Sequence, residues 1–174
     1  MNCFLKNIIF YLTALLTMLS IQPAPALEIE NDFNYIKSPK TTIKGLHRLF
    51  VGVPIGETLS FGQALYSGAT GDGGGAFFWG FEGVTRFPIS PQWNLALSGF
   101  FGGGGGAGQV SGDGTMFRFG AVGEYALTPN WSARAGVSHI SISGAPIDDL
   151  APSVGFRYQV SPKPRSNGAE SLKL

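Results

Sequence analysis

The stretch Phe77-Phe78-Trp79-Gly80-Phe81-Glu82-Gly83-Val84-Thr85-Arg86-Phe87-Pro88-Ile89-Ser90-Pro91-Gln92-Trp93 has an echo. Its second copy is Thr115-Met116-Phe117-Arg118-Phe119-Gly120-Ala121-Val122-Gly123-Glu124-Tyr125-Ala126-Leu127-Thr128-Pro129-Asn130-Trp131, at an offset of 38 residues (77 to 115). Each copy is an alternating run, then Ser/Thr-Pro-Gln/Asn-Trp, then a second alternating run. That is one β-hairpin written twice, and repeated hairpins predict an up-and-down antiparallel sheet or barrel.

The phase of the repeat separates two faces, because side chains two apart on a strand point the same way. Phe77, Trp79, Phe81 and Phe87 share one face. Glu82, Arg86, Gly80 and Val84 share the other. In the second copy Phe117, Phe119, Ala121 and Tyr125 stand opposite Arg118, Gly120 and Glu124. The strands that follow each copy continue the pattern. Trp93, Leu95 and Leu97 oppose Asn94, Ala96 and Ser98, and Trp131, Ala133, Ala135 and Val137 oppose Ser132, Arg134, Gly136 and Ser138. Val154, Phe156, Tyr158 and Val160 likewise oppose Ser153, Gly155, Arg157 and Gln159.

Working outward, eight strands are predicted, at 29–37, 46–53, 58–66, 76–87, 93–101, 115–127, 131–142 and 153–160. The first is the weakest: 31–42 reads equally as a plug, a linker or a strand. The connections at Pro54, Pro91 and Pro129 are short. Those at 67–75, 102–114 and 143–151 are longer, and the first two are rich in glycine. Short turns on one rim and long loops on the other are the habit of bacterial outer-membrane barrels, whose short turns lie in the periplasm.

The N-terminus carries Lys6, an uncharged run from Ile8 to Ile21, and then Ala24-Pro25-Ala26. This predicts a secretory signal peptide over residues 1–26, cleaved after Ala26. The run is shorter than the roughly 20 apolar residues of a spanning helix. The mature chain would be one domain, a barrel over 27–160, followed by a flexible polar tail over 161–174. The whole chain has 12 Lys and Arg against 11 Asp and Glu. Loss of Lys6 would bring the mature chain to neutrality, and nothing here points to nucleic acid. Cys3, the one cysteine, would leave with the signal, so no disulfide or thiol chemistry is expected.

Alternation alone does not say which face is outside, since a soluble barrel also alternates. Three details favour a membrane barrel over a soluble periplasmic barrel that binds a small apolar ligand. The polar face is poor in charge, and no lysine occurs between Lys44 and Lys163. Its charges are Glu82, Arg86, Arg118, Glu124, Arg134 and Arg157, and arginine suits packed ion pairs in a narrow lumen. On the apolar face Phe87, Trp93, Tyr125 and Trp131 lie beside the short turns, where an aromatic girdle would meet the membrane interface.

These features resemble the small eight-stranded outer-membrane barrels, such as the membrane domain of outer membrane protein A and the opacity proteins. The segment Ser153-Val154-Gly155-Phe156-Arg157-Tyr158-Gln159-Val160 is similar to the last-strand signal that the barrel-assembly machinery reads in that class. There the signal usually ends the chain at phenylalanine. Here Val160 takes that place and further residues follow. The resemblance implies a structural or surface-interaction role in the outer membrane of a Gram-negative cell envelope. Its implied partners are outer-membrane lipid or lipopolysaccharide and, during biogenesis, the assembly machinery. It implies a monomer without a cofactor.

Chemistry has few footholds. The glycine run 102–106 lacks the Lys-Ser/Thr of a phosphate loop. Asp72, Asp113, Asp148 and Asp149 are expected in loops without metal-ligand spacing, so no metal site is predicted. His139-Ile140-Ser141 is the one catalytic candidate: residues two apart share a face, and His139 could act as base toward the Ser141 hydroxyl. This segment resembles the His-x-Ser-Asn of the lipid A 3-O-deacylases, which implies a serine esterase acting on lipid A or another lipid from the lipid-facing wall. Ile142 replaces the asparagine, and Ser153 stands where that family has glutamate. Ile140 and Ile142 interrupt the alternation, which leaves room for a bulge that turns His139 away from the bilayer. The pair is absent from the repeat, where Phe101 and Gly103 take its place.

Overall fold

The computed structural model describes residues 26–72, 75–106 and 113–160. Eight antiparallel strands form one closed barrel: β1 (Glu28–Tyr35), β2 (Ile43–Ile55), β3 (Leu59–Gly71), β4 (Phe77–Pro88), β5 (Trp93–Gly105), β6 (Thr115–Ala126), β7 (Trp131–Ile142) and β8 (Ile147–Gln159). Each strand pairs with its sequence neighbours, and β1 closes the ring on β8 from Glu28↔Gln159 to Asn34↔Ser153. Closure leaves no open edge for another strand to extend.

The doubled motif builds the same turn twice. Ser90 Oγ accepts hydrogen bonds from the amides of Gln92 (3.4 Å) and Trp93 (3.1 Å). Thr128 Oγ1 does the same for Asn130 (3.3 Å) and Trp131 (3.0 Å). In both copies the two residues before the proline donate backbone N–H groups to the tryptophan carbonyl. The hydroxyl substitutes for backbone partners that a four-residue reversal cannot supply.

The register fixes the strand tilt. A rung that starts at Trp93 passes through Tyr125, Ala133, Phe156, Asn31, Leu49, Leu65 and Trp79 and returns to β5 at Gly103, ten residues along the strand from its start. Strands inclined by about 40° give this stagger.

The segment over 31–42 begins in a true strand, β1. Four strands run further than sequence suggests. β2 spans Ile43–Ile55 and takes in Pro54, β3 continues to Gly71, β5 to Gly105, and β8 starts at Ile147. The glycines of β5 are strand rather than loop because β4 lies against them. Gly102 pairs with Gly80, and a Cβ at Gly102 would collide with the Trp79 carbonyl and the Phe100 ring. Asp148 and Asp149 therefore lie on β8 and not in a loop. Ile140 and Ile142 open no bulge, since β7 keeps an unbroken register with β6 and β8. Both are buried inside the barrel. The irregularity lies instead on β2, between Ile43 and Leu46.

The interior changes character along its axis. Near the short-turn rim it holds charged side chains. Near the long-loop rim it is apolar, closed by Ile36, Ile43, Leu46, Phe50, Phe78, Met116, Ile140, Ile142 and Ile147, with the Tyr66 and Phe100 rings 4.8 Å apart. The expected signal peptide, with Cys3, and the polar tail lie outside the described residues, Ala26 and the last strand's Val160 apart.

Candidate functional site: the lumen network and the outer rim

Six strands direct charges inward at alternate positions, and β3 and β5 complete them with Ser60, Tyr66 and Ser98. Glu28, Glu30 and Asp32 come from β1, Arg48 from β2, Glu82 and Arg86 from β4, Arg118 and Glu124 from β6, Arg134 from β7 and Arg157 from β8. Five arginines thus meet five carboxylates. Arg48 grips Glu82 through Nε (3.0 Å) and Nη2 (2.8 Å), reaches Glu30 at 2.7 Å, and also donates to Asp32. Glu82 further accepts from Arg118 Nη1 (3.0 Å) and the Tyr66 hydroxyl (3.1 Å). Arg86 donates to Glu124 (3.0 Å), to Ser60 (3.0 Å) and to Glu30, and lies 3.0 Å from Glu28. Arg134 binds Glu30 and Asp32. Arg157, nearest the short-turn rim, is held more loosely, at 3.4 Å from Glu28 and 3.6 Å from Glu124.

Burying charge is costly unless each ion has an opposite partner and its remaining hydrogen-bonding groups are met. The forked guanidinium satisfies several carboxylates at once, which one ammonium does less well. The network is thus a packed filling of the barrel rather than a lined passage. Glu28, Glu30, Asp32 and Arg48 were missed by sequence reasoning. Their signal was present: Glu28-Ile29-Glu30-Asn31-Asp32 places an acid at every second position.

The outward face carries the aromatics. Phe87, Trp93 and Trp131 are each between four- and five-tenths exposed beside the short turns. The Tyr125 ring packs 5.0 Å from that of Trp93, and Tyr158, not assigned to the girdle from sequence, packs its ring tilted against Trp131 at 4.7 Å. Higher on the wall Phe77, Trp79, Phe81, Phe101, Phe117 and Phe119 are all exposed.

At the long-loop rim His139 and Ser141 face outward on β7. Ser141 stands opposite Asp148 on β8, and His139 Nε2 lies 3.1 Å from Asp148 Oδ1. Ser141 makes no side-chain hydrogen bond to His139 among the described residues. Ser38, Lys40, Ser141, Pro146, Asp148 and Asp149 line an open hollow of about 490 Å³ beside this pair. Asp113, just before β6, accepts the Thr115 amide at 3.1 Å. That bond and one with the Ser143 side chain hold its carboxyl below the ordinary range. Among the described residues no three His, Cys, Asp or Glu side chains converge as metal ligands.

No known family's sequence profile matches the chain, and no curated protein sequence matches it. Solved structures do. A de novo designed transmembrane β-barrel superposes with a TM-score of 0.58 at 12% identity, covering 80% of this chain and 98% of the other. The N-terminal β-barrel domain of Pseudomonas aeruginosa OprF gives 0.57 at 14% identity, over 79% and 99%. The Yersinia pestis outer membrane protein Ail gives 0.48 at 13% identity, over 77% and 97%. At these identities the likeness is one of fold: a closed, antiparallel, eight-stranded, all-β barrel.

Proposed function

We propose that this chain is an outer-membrane β-barrel protein, exported by a cleaved signal, that serves the envelope structurally or presents its long-loop rim to partners. The observation that carries the reading is the inversion of the two faces. Paired charges fill the inside, and a ring of exposed Phe, Trp, Leu and Val covers the outside. A soluble barrel would place these the other way round, and soluble monomers rarely expose apolar patches beyond a few hundred Å². The TM-score of 0.57 to an OprF barrel domain supports the same placement. A lumen closed by ion pairs and an apolar upper layer does not pass solutes by diffusion.

The test is phase behaviour and conductance. The mature protein is expected to require detergent or lipid and to give no steady current in planar bilayers. A protein that stays dispersed without detergent would sink the membrane reading, and a steady open current would sink the closed lumen.

A second reading, a lipid esterase, has one observation in its favour: Asp148 lies beside both His139 and Ser141. Against it, the histidine engages the carboxylate and not the serine. Incubation with lipid A and with a generic ester, beside Ser141→Ala and His139→Ala, tests it. Acyl release lost in both variants would establish it.

A further inference from the structure

The outward wall of β1–β3 departs from the apolar rule. Asn31, His47 and Gln63 all face outward. His47 Nε2 and Asn31 Oδ1 are 2.9 Å apart, whereas Gln63 is exposed and has no side-chain partner among the described residues. Rungs rise about 3 Å at each strand in the direction β1 to β3, and two residues down a strand lower the level by about 5 Å. Asn31 shares its rung with Leu49 and Leu65, and Gln63 is two residues below Leu65. Asn31 and Gln63 therefore lie at nearly the same height, one on each side of β2. By the same count both fall near the middle of the apolar band, roughly 12–14 Å above the Trp93 level.

Resting on the membrane reading above, we propose that this wall is the interface of a two-fold dimer, with the axis along the membrane normal through β2. A partner is needed because hydrocarbon offers an amide nothing to bond. A second copy fits for a reason of symmetry. A two-fold axis along the normal preserves height and exchanges left with right. Asn31 of one copy then meets Gln63 of the other, and the contact occurs twice. Each amide brings both donor and acceptor, so the pairing is self-complementary. Between these contacts Leu49, about 3 Å above Asn31 by this count, and Val51, about 2 Å below it, face the axis. A groove of about 290 Å³ lined by Leu27, Val51, Val53, Phe61 and Gln63 takes the opposing side chains. The opposite wall, around Ala121 on β6, presents Gly99, Ala121, Gly123, Ala133 and Ala135 at mid-height and no amide.

The test is cysteine cross-linking in proteoliposomes, in a Cys3→Ser background that removes the one native cysteine. Val51→Cys is expected to form a disulfide-linked dimer at least 10-fold more than Ala121→Cys on the far wall. Adding Gln63→Leu is expected to lower that yield about 10-fold while leaving the urea midpoint unchanged or higher. Equal yields at the two positions would overturn the interface, as would a Val51→Cys yield that Gln63→Leu does not move. Vesicle-bound protein with no cross-link at Val51 also overturns the dimer and leaves the groove to lipid. Protein that fails to float with the vesicles overturns the membrane reading on which it rests.

Discussion

Arg48 and Glu82 are 34 residues apart in sequence, sit on strands separated by β3, and meet through two parallel hydrogen bonds with both side chains fully buried. Glu82 also receives Arg118 and Tyr66. Its loss leaves Arg118 with no carboxylate among the described residues and removes one of the three that Arg48 meets. Glu82→Ala is expected to lower stability by about 3–5 kcal/mol. Glu82→Gln keeps one acceptor oxygen and should cost less. Urea titration in detergent micelles measures both, and equal losses would deny the role of the charge.

The two repeated turns, at Pro91 and Pro129, give a paired test. Ser90 and Thr128 occupy equivalent places and cap equivalent amides. Ser90→Ala and Thr128→Ala are each expected to cost about 0.5–1.5 kcal/mol. Because the geometry repeats, the two losses should agree closely in the same unfolding assay.

The upper layer of the lumen is closed by apolar packing in which Tyr66 and Phe100 are both buried. Phe100→Ala leaves a cavity against Tyr66 and is expected to cost about 3–5 kcal/mol. With Tyr66→Ala added, brief current events should appear in bilayers where the native protein is silent. Silence in the double variant would place the block lower, among the ion pairs.

Asp113 supplies the pH dependence at the long-loop rim. Hydrogen bonds from the Thr115 amide and Ser143 lower its folded pKa. A lowered carboxyl stabilises the folded state above the unfolded pKa and loses that contribution as pH falls through the folded one. The protection of the Thr115 amide from hydrogen exchange, taken relative to its intrinsic rate at each pH, should therefore fall in acid. In Asp113→Asn that acid response should largely vanish.

The doubled hairpin made most of the fold legible. Period-two alternation assigned Phe77 through Val160 to their faces, and the bounds of β7 were read without error. Glycine obscured the rest. Gly102 to Gly105 carry no face information and Gly68-Ala69-Thr70-Gly71 little, and only the neighbouring strands make them extended. At the rim, Asp148 lay unseen beside His139 because β8 begins before its hydrophobic alternation does. The acids of β1 were legible by spacing, but their meaning depended on arginines from β2, β4 and β7. Pairing between strands distant in sequence is a property of closure, which no single segment displays.

The five-to-five match of arginines and carboxylates has a consequence beyond stability. An interior whose charges cancel needs no counterions to accompany it during assembly. Folding should then neither gather nor release salt, and the finished barrel should hold its shape across wide changes of ionic strength. If the barrel spans a membrane as proposed, its filling offers a transmembrane field no net charge to pull upon.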